Sequence, residues 1–268
     1  MIVFVHLNKT AGTTFKFILR NTFGLRHCDL QSKLPRRPVT EDDLCFAHKV
    51  FPFGLKSVAG HGLIDPRHHL KGRHHYVTFL RDPLKRGGSH YQHIKRAKTR
   101  SGKAYSFADY LDDPALHNLQ VKTIAGREDL DKARQELAEH YLFVGLTERF
   151  DESLRILQVL SPNPLDLRYG RLHVARENSA KREVLEDPEK RARLAEQNAL
   201  DMELYRFVEA ELYPALLRKA LPGGAGLGEP AQNGKRYPFR YKLNRAYQQA
   251  VYRNLLKLRR RFFSTAMM

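Results

Sequence analysis

Residues 8–14 read Asn-Lys-Thr-Ala-Gly-Thr-Thr and combine a cation, a glycine and three hydroxyls, which are groups that bind phosphate. The apolar residues 2–7 alternate too little for a half-exposed strand, so they predict a strand that is buried on both faces. Residues 15–23 repeat apolar side chains at mostly helical spacing. A strand, a tight loop and a helix N-terminus direct several backbone N–H groups at one point. The candidate phosphate-binding residues are Lys9, Thr10, Gly12, Thr13 and Thr14, although threonines at a helix start also serve as simple caps.

A second candidate anion site follows a later predicted strand. Residues 75–80 are rich in β-branched and aromatic side chains, and residues 83–98 predict a helix that begins with proline. Arg81 falls at the C-terminal end of the strand, where open α/β sheets bind ligands. Ser89 lies eight residues later, about two helical turns on, and can return to the same side. An arginine and a hydroxyl on rigid elements suit a phosphate monoester, whereas the alternative is a local Arg81–Asp82 ion pair.

The elements around these segments predict an α/β fold with a parallel sheet flanked by helices. Further strands are expected at residues 56–61 and 141–145, and Thr147 is expected to cap the helix that follows. Residues 26–43 are polar and predict a surface loop. We expect one domain over residues 1–221 with a helical C-terminal region from residue 187, a Gly/Pro-rich linker at 222–234 and a basic tail at 235–268, helical over about 238–263.

Composition limits the kinds of protein that fit. Of the residues, 42% are hydrophobic, which supports a substantial core. Cys28 and Cys45 offer neither a disulfide framework nor zinc-site spacing, so both are expected to be free thiols in a reducing compartment. We find no signal peptide and no apolar run of transmembrane length, which predicts a cytoplasmic location.

The net charge of +18 is unevenly distributed. Residues 1–104 carry 20 Lys and Arg against 6 Asp and Glu, residues 105–234 carry 17 against 23, and residues 235–268 carry 10 against none. This pattern predicts anionic partners at two places, among them a phosphorylated cofactor, an acidic glycan, nucleic acid or a membrane surface. Aromatic side chains are not interleaved at regular intervals with the basic residues, which argues against nucleic acid.

The two anion-binding segments taken together resemble the cofactor segments of carbohydrate sulfotransferases. The resemblance is greatest to the branch that contains heparan sulfate 2-O- and 6-O-sulfotransferases and their bacterial relatives. Residues 143–153, FVGLTERFDES, resemble the strand–helix segment after the cofactor helix of that family, and residues 176–181, RENSAK, resemble its late loop over the nucleotide. The resemblance covers roughly residues 1–185. One departure is Asn8, where the family usually has proline, and no Walker A spacing is present.

What the resemblance implies is a nucleotide-kinase-like sulfotransferase fold and transfer of a sulfuryl group from 3′-phosphoadenosine 5′-phosphosulfate to a hydroxyl of a carbohydrate. Adenosine 3′,5′-bisphosphate would be the product, and no metal would be needed. By the same resemblance Lys9, Thr10, Gly12, Thr13 and Thr14 would bind the 5′-phosphosulfate, and Arg81 and Ser89 the 3′-phosphate. The late loop would add Asn178, Ser179 and Lys181.

Sulfuryl transfer to a hydroxyl calls for a base near neutral pH, and histidine is the usual choice. Of 13 histidines, ten fall within the first 93 residues, so position must select among them. We assign the base to His61, which follows Gly60 at a predicted strand end and resembles the base-bearing segment of the family. The alternative is a structural histidine at a strand end, and then His90 or His93 on the helix after residue 83 would be the next candidate. His68, His69, His74 and His75 are expected to be solvated, and no acidic or thiolate ligand completes a metal site with them.

Two other function classes remain open at this stage. One is an atypical phosphate-binding nucleotide or sugar kinase, which would require Mg²⁺ and ignore a 3′-phosphate. The other is a basic protein that binds nucleic acid or a membrane surface without catalysis. The basic tail could lie on an anionic membrane, hold an acidic acceptor, or pack on the domain with a solvated basic face.

Overall fold

A computed structural model describes residues 1–34, 37–169, 179–221 and 238–265. Its centre is a five-stranded sheet in the order β2-β3-β1-β4-β5, and every neighbouring pair is parallel. The predicted α/β fold with a parallel sheet flanked by helices is therefore confirmed. The strands are β1 Ile2–Val5, β2 His27–Asp29, β3 Ser57–Gly60, β4 His75–Leu80 and β5 Tyr141–Leu146.

Strand β1 lies in the middle of the sheet and is fully buried, as its apolar sequence predicts. Val5 pairs with Gly60 of β3 on one side and with Thr78 of β4 on the other. Because the strands are parallel, the segments that follow β1, β3, β4 and β5 leave the sheet at the same edge. The chain crosses from β3 past β1 to β4, so the order of strands switches beside β1, where open α/β sheets form a crevice.

Helices cover the sheet and extend the domain. The long helix α4 begins at Pro83, with Asp82 accepting a hydrogen bond from the Lys85 N–H at 2.8 Å. The helices are α1 Gly12–Phe23, α2 Glu41–Val50, α3 Pro66–His69, α4 Pro83–Arg100, α5 Phe107–Leu111, α6 Leu119–Ala125, α7 Leu130–Glu139, α8 Phe150–Leu160, α9 Ser179–Glu186, α10 Pro188–Gln197, α11 Ala199–Phe207, α12 Tyr213–Ala220, α13 Phe239–Tyr247 and α14 Arg253–Thr265.

The prediction of a surface loop over residues 26–43 is wrong. Within that range lie the edge strand β2 and the start of α2. Among the described strands, β2 pairs with β3 alone. Because β3 is distant in sequence, the residues of β2 by themselves do not predict a strand. Helix α2 begins with a capping box in which Thr40 and Asp43 each bond the backbone of the other.

The described part of the basic tail packs on the domain. Tyr241 lies against Phe17 of α1 with ring centroids 4.7 Å apart, and Tyr252 and Leu256 are buried. Asn244 is also buried, and its Nδ2 donates hydrogen bonds of 2.7 Å to the carbonyls of Gly24 and His27. Residues 238–262 therefore pack on the domain, and several of their basic residues remain exposed.

Cys28 is buried, Cys45 is exposed, and both are free thiols, as expected. In the part of the chain that the structure describes, no helix combines the length and the apolar character needed to span a bilayer.

The buried Asn244 contacts give a test of tail docking. We expect Asn244→Ala to lower the free energy of unfolding by about 2 kcal/mol, because two hydrogen bonds to the strand-side backbone are lost at about 1 kcal/mol each. Asn254→Ala is the matched control, since Asn254 is exposed and its described side-chain hydrogen bond is a local one, to the Ala250 carbonyl four residues earlier. Urea denaturation of both variants measures the difference, and equal stabilities would show that the tail does not pack on the domain.

Candidate functional site

A cavity of 330 Å³ opens at the edge of the sheet where β1, β3, β4 and β5 end. Most of the residues that the sequence singles out meet there, although they come from three separate segments. Those that line the cavity are Lys9, Gly12, Thr13, Thr14, His61, Arg81 and Ser89, together with His6, Asn8, Ala11, His93 and Thr147. No carboxylate is among these lining residues, so the cavity is suited to an anion.

The loop between β1 and α1 has an unusual backbone. Lys9 and Ala11 both adopt positive φ angles, of 70° and 60°, which non-glycine residues rarely do. Ala11 immediately precedes α1, no side chain caps that helix, and its first turn contains no acidic residue. Among the described residues, the hydroxyls of Thr13 and Thr14 have no hydrogen-bond partner. The helix start therefore presents uncapped donors to the cavity, and the alternative of threonines acting as caps does not apply.

Two threonines have roles that differ from their predicted ones. Thr10 is fully buried, does not line the cavity, and donates a hydrogen bond to the Leu7 carbonyl at 3.1 Å. Its predicted role as a donor to a bound phosphate is therefore replaced by a structural one inside the loop. Thr147 lines the cavity and donates to the Leu80 carbonyl at 2.9 Å, instead of capping the following helix.

Arg81 joins the end of β4 to the loop after β1. Its Nη1 donates to the Lys9 carbonyl at 3.0 Å, and its backbone N–H and carbonyl bond the side-chain amide of Gln120 at 3.0 Å each. Its Nε lies 3.8 Å from Glu148, whereas Asp82 caps α4, so the expected alternative of an Arg81–Asp82 pair is not what forms. Burial and then the nearby Arg81 charge lower the pKa of Lys9. Two cations are thus held close together, which favours an anion between them.

His61 has one ring nitrogen engaged and the other open. Its Nδ1 lies 2.8 Å from the His6 carbonyl oxygen, which can only accept, so Nδ1 carries the proton. The Nε2 lone pair is then available, as a general base requires. His61 is exposed at the cavity, but the surrounding protein still removes part of the water around its ring. This desolvation and then the positive charge of Lys16 lower the pKa of His61, which keeps the imidazole neutral near pH 7.

His6 is a site residue that the sequence analysis missed. Its ring is buried, stacks on His61 with centroids 3.8 Å apart, and lines the cavity. Burial, followed by repulsion from His61 and Lys16, holds its pKa well below the usual range. Among the described residues its Nδ1 has no hydrogen-bond partner. The sequence does contain a signal for it, since His6 interrupts the apolar run of residues 2–7 just before the predicted phosphate-binding segment.

Position 12 requires glycine because the His6 ring lies directly against the backbone there. A Cβ added at Gly12 would lie 1.8 Å from Cδ2 and 2.0 Å from Nε2 of His6, well inside contact distance. The glycine of the predicted phosphate-binding segment thus makes room for the histidine at the cavity floor.

The remaining predicted residues lie on helices α4 and α9. His93 lines the cavity, whereas His90 is buried beside Tyr110 and its pKa is lowered to about 3, chiefly by burial. Of the four histidines expected to be solvated, His68 and His75 are exposed and His69 and His74 are half-buried.

The late-loop residues are only partly described. Asn178 lies outside the described residues. Ser179 and Lys181 stand in the first turn of α9, outside the residues that line the cavity. Burial and then the positive charge of Arg81 lower the pKa of Lys181, so Lys181 is nevertheless near the cavity residue Arg81.

No protein-family model matches the chain, and no curated protein sequence matches it either.

The contact between Gly12 and His6 gives a test that needs no ligand. We expect Gly12→Ala to cost about 1–3 kcal/mol of stability, because the added methyl group overpacks a site that has no free volume. In a His6→Ala background the same substitution should cost at least about 1 kcal/mol less, which exceeds the roughly 0.3–0.5 kcal/mol within which independent substitutions add. Chemical denaturation of the four proteins in this double-mutant cycle measures the coupling. Strict additivity would show that the two residues do not touch.

Proposed function

We propose that the protein is a sulfotransferase that moves a sulfuryl group from 3′-phosphoadenosine 5′-phosphosulfate to a hydroxyl of a carbohydrate. The observation that carries the proposal is the convergence of three features on one cavity. These are the uncapped start of α1 beside Lys9, the Arg81–Ser89 pair, and a neutral histidine with an open Nε2. A nucleotide-kinase-like sulfotransferase fold is part of the same proposal, and the phosphate-binding loop after the central parallel strand supports it.

The lining residues suit a nucleotide that carries two separate phosphate groups. The backbone N–H groups of Gly12 and Thr13 and the hydroxyls of Thr13 and Thr14 would hold the 5′-phosphate, since the N–H groups of Thr14 and Phe15 already donate to the Ala11 carbonyl. Arg81 and Ser89 would hold the 3′-phosphate, since Arg81 has donors left after its bond to Lys9 and the Ser89 hydroxyl has no partner among the described residues.

Each charged or titratable group has a distinct role in this proposal. When bound, the nucleotide supplies the activated sulfuryl group. Lys9 would neutralise the negative charge that develops on the bridging oxygen as the bond to sulfur breaks. His61 Nε2 would take the proton of the acceptor hydroxyl, and the His6 carbonyl would keep the His61 ring oriented and in the Nδ1–H tautomer. Lys181 and Ser179, together with Asn178, remain predicted nucleotide contacts.

Nucleotide affinity tests the two-phosphate site. We expect adenosine 3′,5′-bisphosphate to bind at least tenfold more tightly than AMP, because charge-assisted hydrogen bonds contribute about 1.5–3 kcal/mol each. Ser89→Ala and Arg81→Ala should reduce that ratio, while Arg100→Ala, at the exposed end of the same helix, should leave it unchanged. Isothermal titration calorimetry without Mg²⁺ measures the ratio. Equal affinity for the two nucleotides would contradict the two-phosphate site. If a separate titration with Mg²⁺ then showed tight binding of Mg²⁺-ATP, the kinase alternative would be favoured.

The pH dependence of transfer tests His61. Because desolvation and Lys16 lower its pKa below the ordinary value of 6.5, the neutral form persists at mildly acidic pH. We therefore expect kcat/KM to stay level as pH falls through 6.5 and to decline only at lower pH. His61→Ala should cut turnover by about 10²–10⁴ without changing nucleotide affinity, whereas His68→Ala, at an exposed histidine, should not change turnover.

The measurement is sulfate transfer from labelled donor to a panel of oligosaccharides. A His61→Ala protein that binds nucleotide and retains its rate would place the base elsewhere, with His93 as the next candidate because it lines the same cavity.

A further inference from the structure

A second cavity, of 480 Å³, lies on the other side of His61. Its walls are the ends of β2 and β3, the second turn of α1 and the C-terminal helix α14. His61 lines both this cavity and the first one, so a molecule in the second cavity would contact the residue that the proposed reaction uses as base.

The second cavity is lined by far more positive than negative charge. Lys16, Arg37, Arg253 and Arg260 line it, and Asp29 is the one carboxylate among its described lining residues. Asp29 is already paired with Arg20 and lies 3.3 Å from His27 Nε2. Lys16 is 3.9 Å from Asp29, beyond hydrogen-bond range. Four lining cations therefore face a single described carboxylate, which is shared among Lys16, Arg20 and His27.

Two arginines of the C-terminal helix, Arg253 and Arg260, line the second cavity. Arg260 donates through Nε and Nη2 to the Ser32 carbonyl at 3.2 and 2.6 Å, which leaves its other donors for a ligand. Arg253 follows Tyr252, which is buried and accepts a hydrogen bond from the Gln31 N–H at 3.3 Å. Burial lowers the pKa of Lys16, Asp29 raises it, and Arg20 lowers it. The charge of Arg253 lowers it by a smaller amount, so Arg253 and Lys16 are close to each other.

We infer that the second cavity receives the acceptor and that this acceptor carries an oxyanion, which Lys16, Arg253 and Arg260 bind while a hydroxyl of the acceptor reaches His61. This inference rests on the proposed function. A carboxylate or a sulfate ester would provide the oxyanion, since both present oxygens that accept from arginine. Apart from His61, the described residues that line this cavity include no aromatic side chain on which the bases of a nucleic-acid strand would stack.

Binding of defined oligosaccharides to the full chain, saturated with adenosine 3′,5′-bisphosphate, tests the inference. The probes are tetragalacturonate for the carboxylate, sulfated maltotetraose for the sulfate ester, and maltotetraose as the neutral reference. We expect at least one anionic probe to bind tenfold or more tightly than maltotetraose, with an affinity that falls as salt is added. The probe that binds better identifies the oxyanion.

Matched substitutions locate the binding. Arg253→Gln should weaken the anionic probe about tenfold, while Arg245→Gln, which removes the same charge from the exposed face of the preceding helix, should not. Both arginines are exposed, so both variants should keep the melting temperature of the unmodified protein. Equal losses in the two variants, or equal affinity for the anionic and neutral probes, would overturn the inference. The inference would also be overturned if the protein bound none of the saccharides but bound phosphatidylserine vesicles with an affinity that Arg253→Gln reduces.

Nucleotide titrations in the same samples separate this inference from the proposed function. Tight binding of adenosine 3′,5′-bisphosphate without binding of either anionic saccharide would overturn the inference and leave the proposed function standing. Binding of an anionic saccharide without binding of the nucleotide would overturn both, because the cavity would then be an anion site with no transfer reaction beside it.

Discussion

Strand β1 fixes the geometry of the candidate site because it pairs in parallel with β3 on one side and with β4 on the other. Val5 and Gly60 are register partners, so the residues that follow them, His6 and His61, leave the sheet side by side. Their stacked rings and the hydrogen bond from His61 Nδ1 to the His6 carbonyl continue that register beyond the last strand pair. A slip of either strand would separate the two histidines, and the full burial of β1 opposes such a slip.

Much of the sheet is predictable from the sequence, because four of its strands are local apolar or β-branched runs that end in polar or glycine-bearing turns. β2 is different. It has only three residues, it lies at the edge of the sheet, and among the described strands it pairs with β3 alone. Its formation therefore depends on that pairing, which the pattern of its own residues cannot predict. The start of α2 is predictable in principle, since Thr40 and Asp43 have the spacing of a capping box. The polar residues around them are equally typical of a loop, which is why the sequence analysis assigns one.

For the candidate site, strand ends predict which residues come together but not where each side chain faces. Thr10 turns inward because the backbone bends into the left-handed region at both neighbours, Lys9 and Ala11. His90 and His93 are only three residues apart on α4, yet His90 faces the small core formed with Tyr110 while His93 faces the cavity. The rotation of α4 about its axis is set by its packing partners, chiefly α9, which the sequence of α4 does not reveal.

The docking of α13 against α1 and β2, with α14 following it along the chain, has a consequence for how the molecule folds. All five strands lie within the first 146 residues, whereas α13 and α14 come from the far end of the described chain. Contacts between segments so distant in sequence close slowly, because a long loop must be ordered before they form. We expect the loop between β1 and α1 to reach its native shape with the sheet, in an early kinetic phase, and the cationic cavity to be completed in a later phase, when α13 and α14 dock.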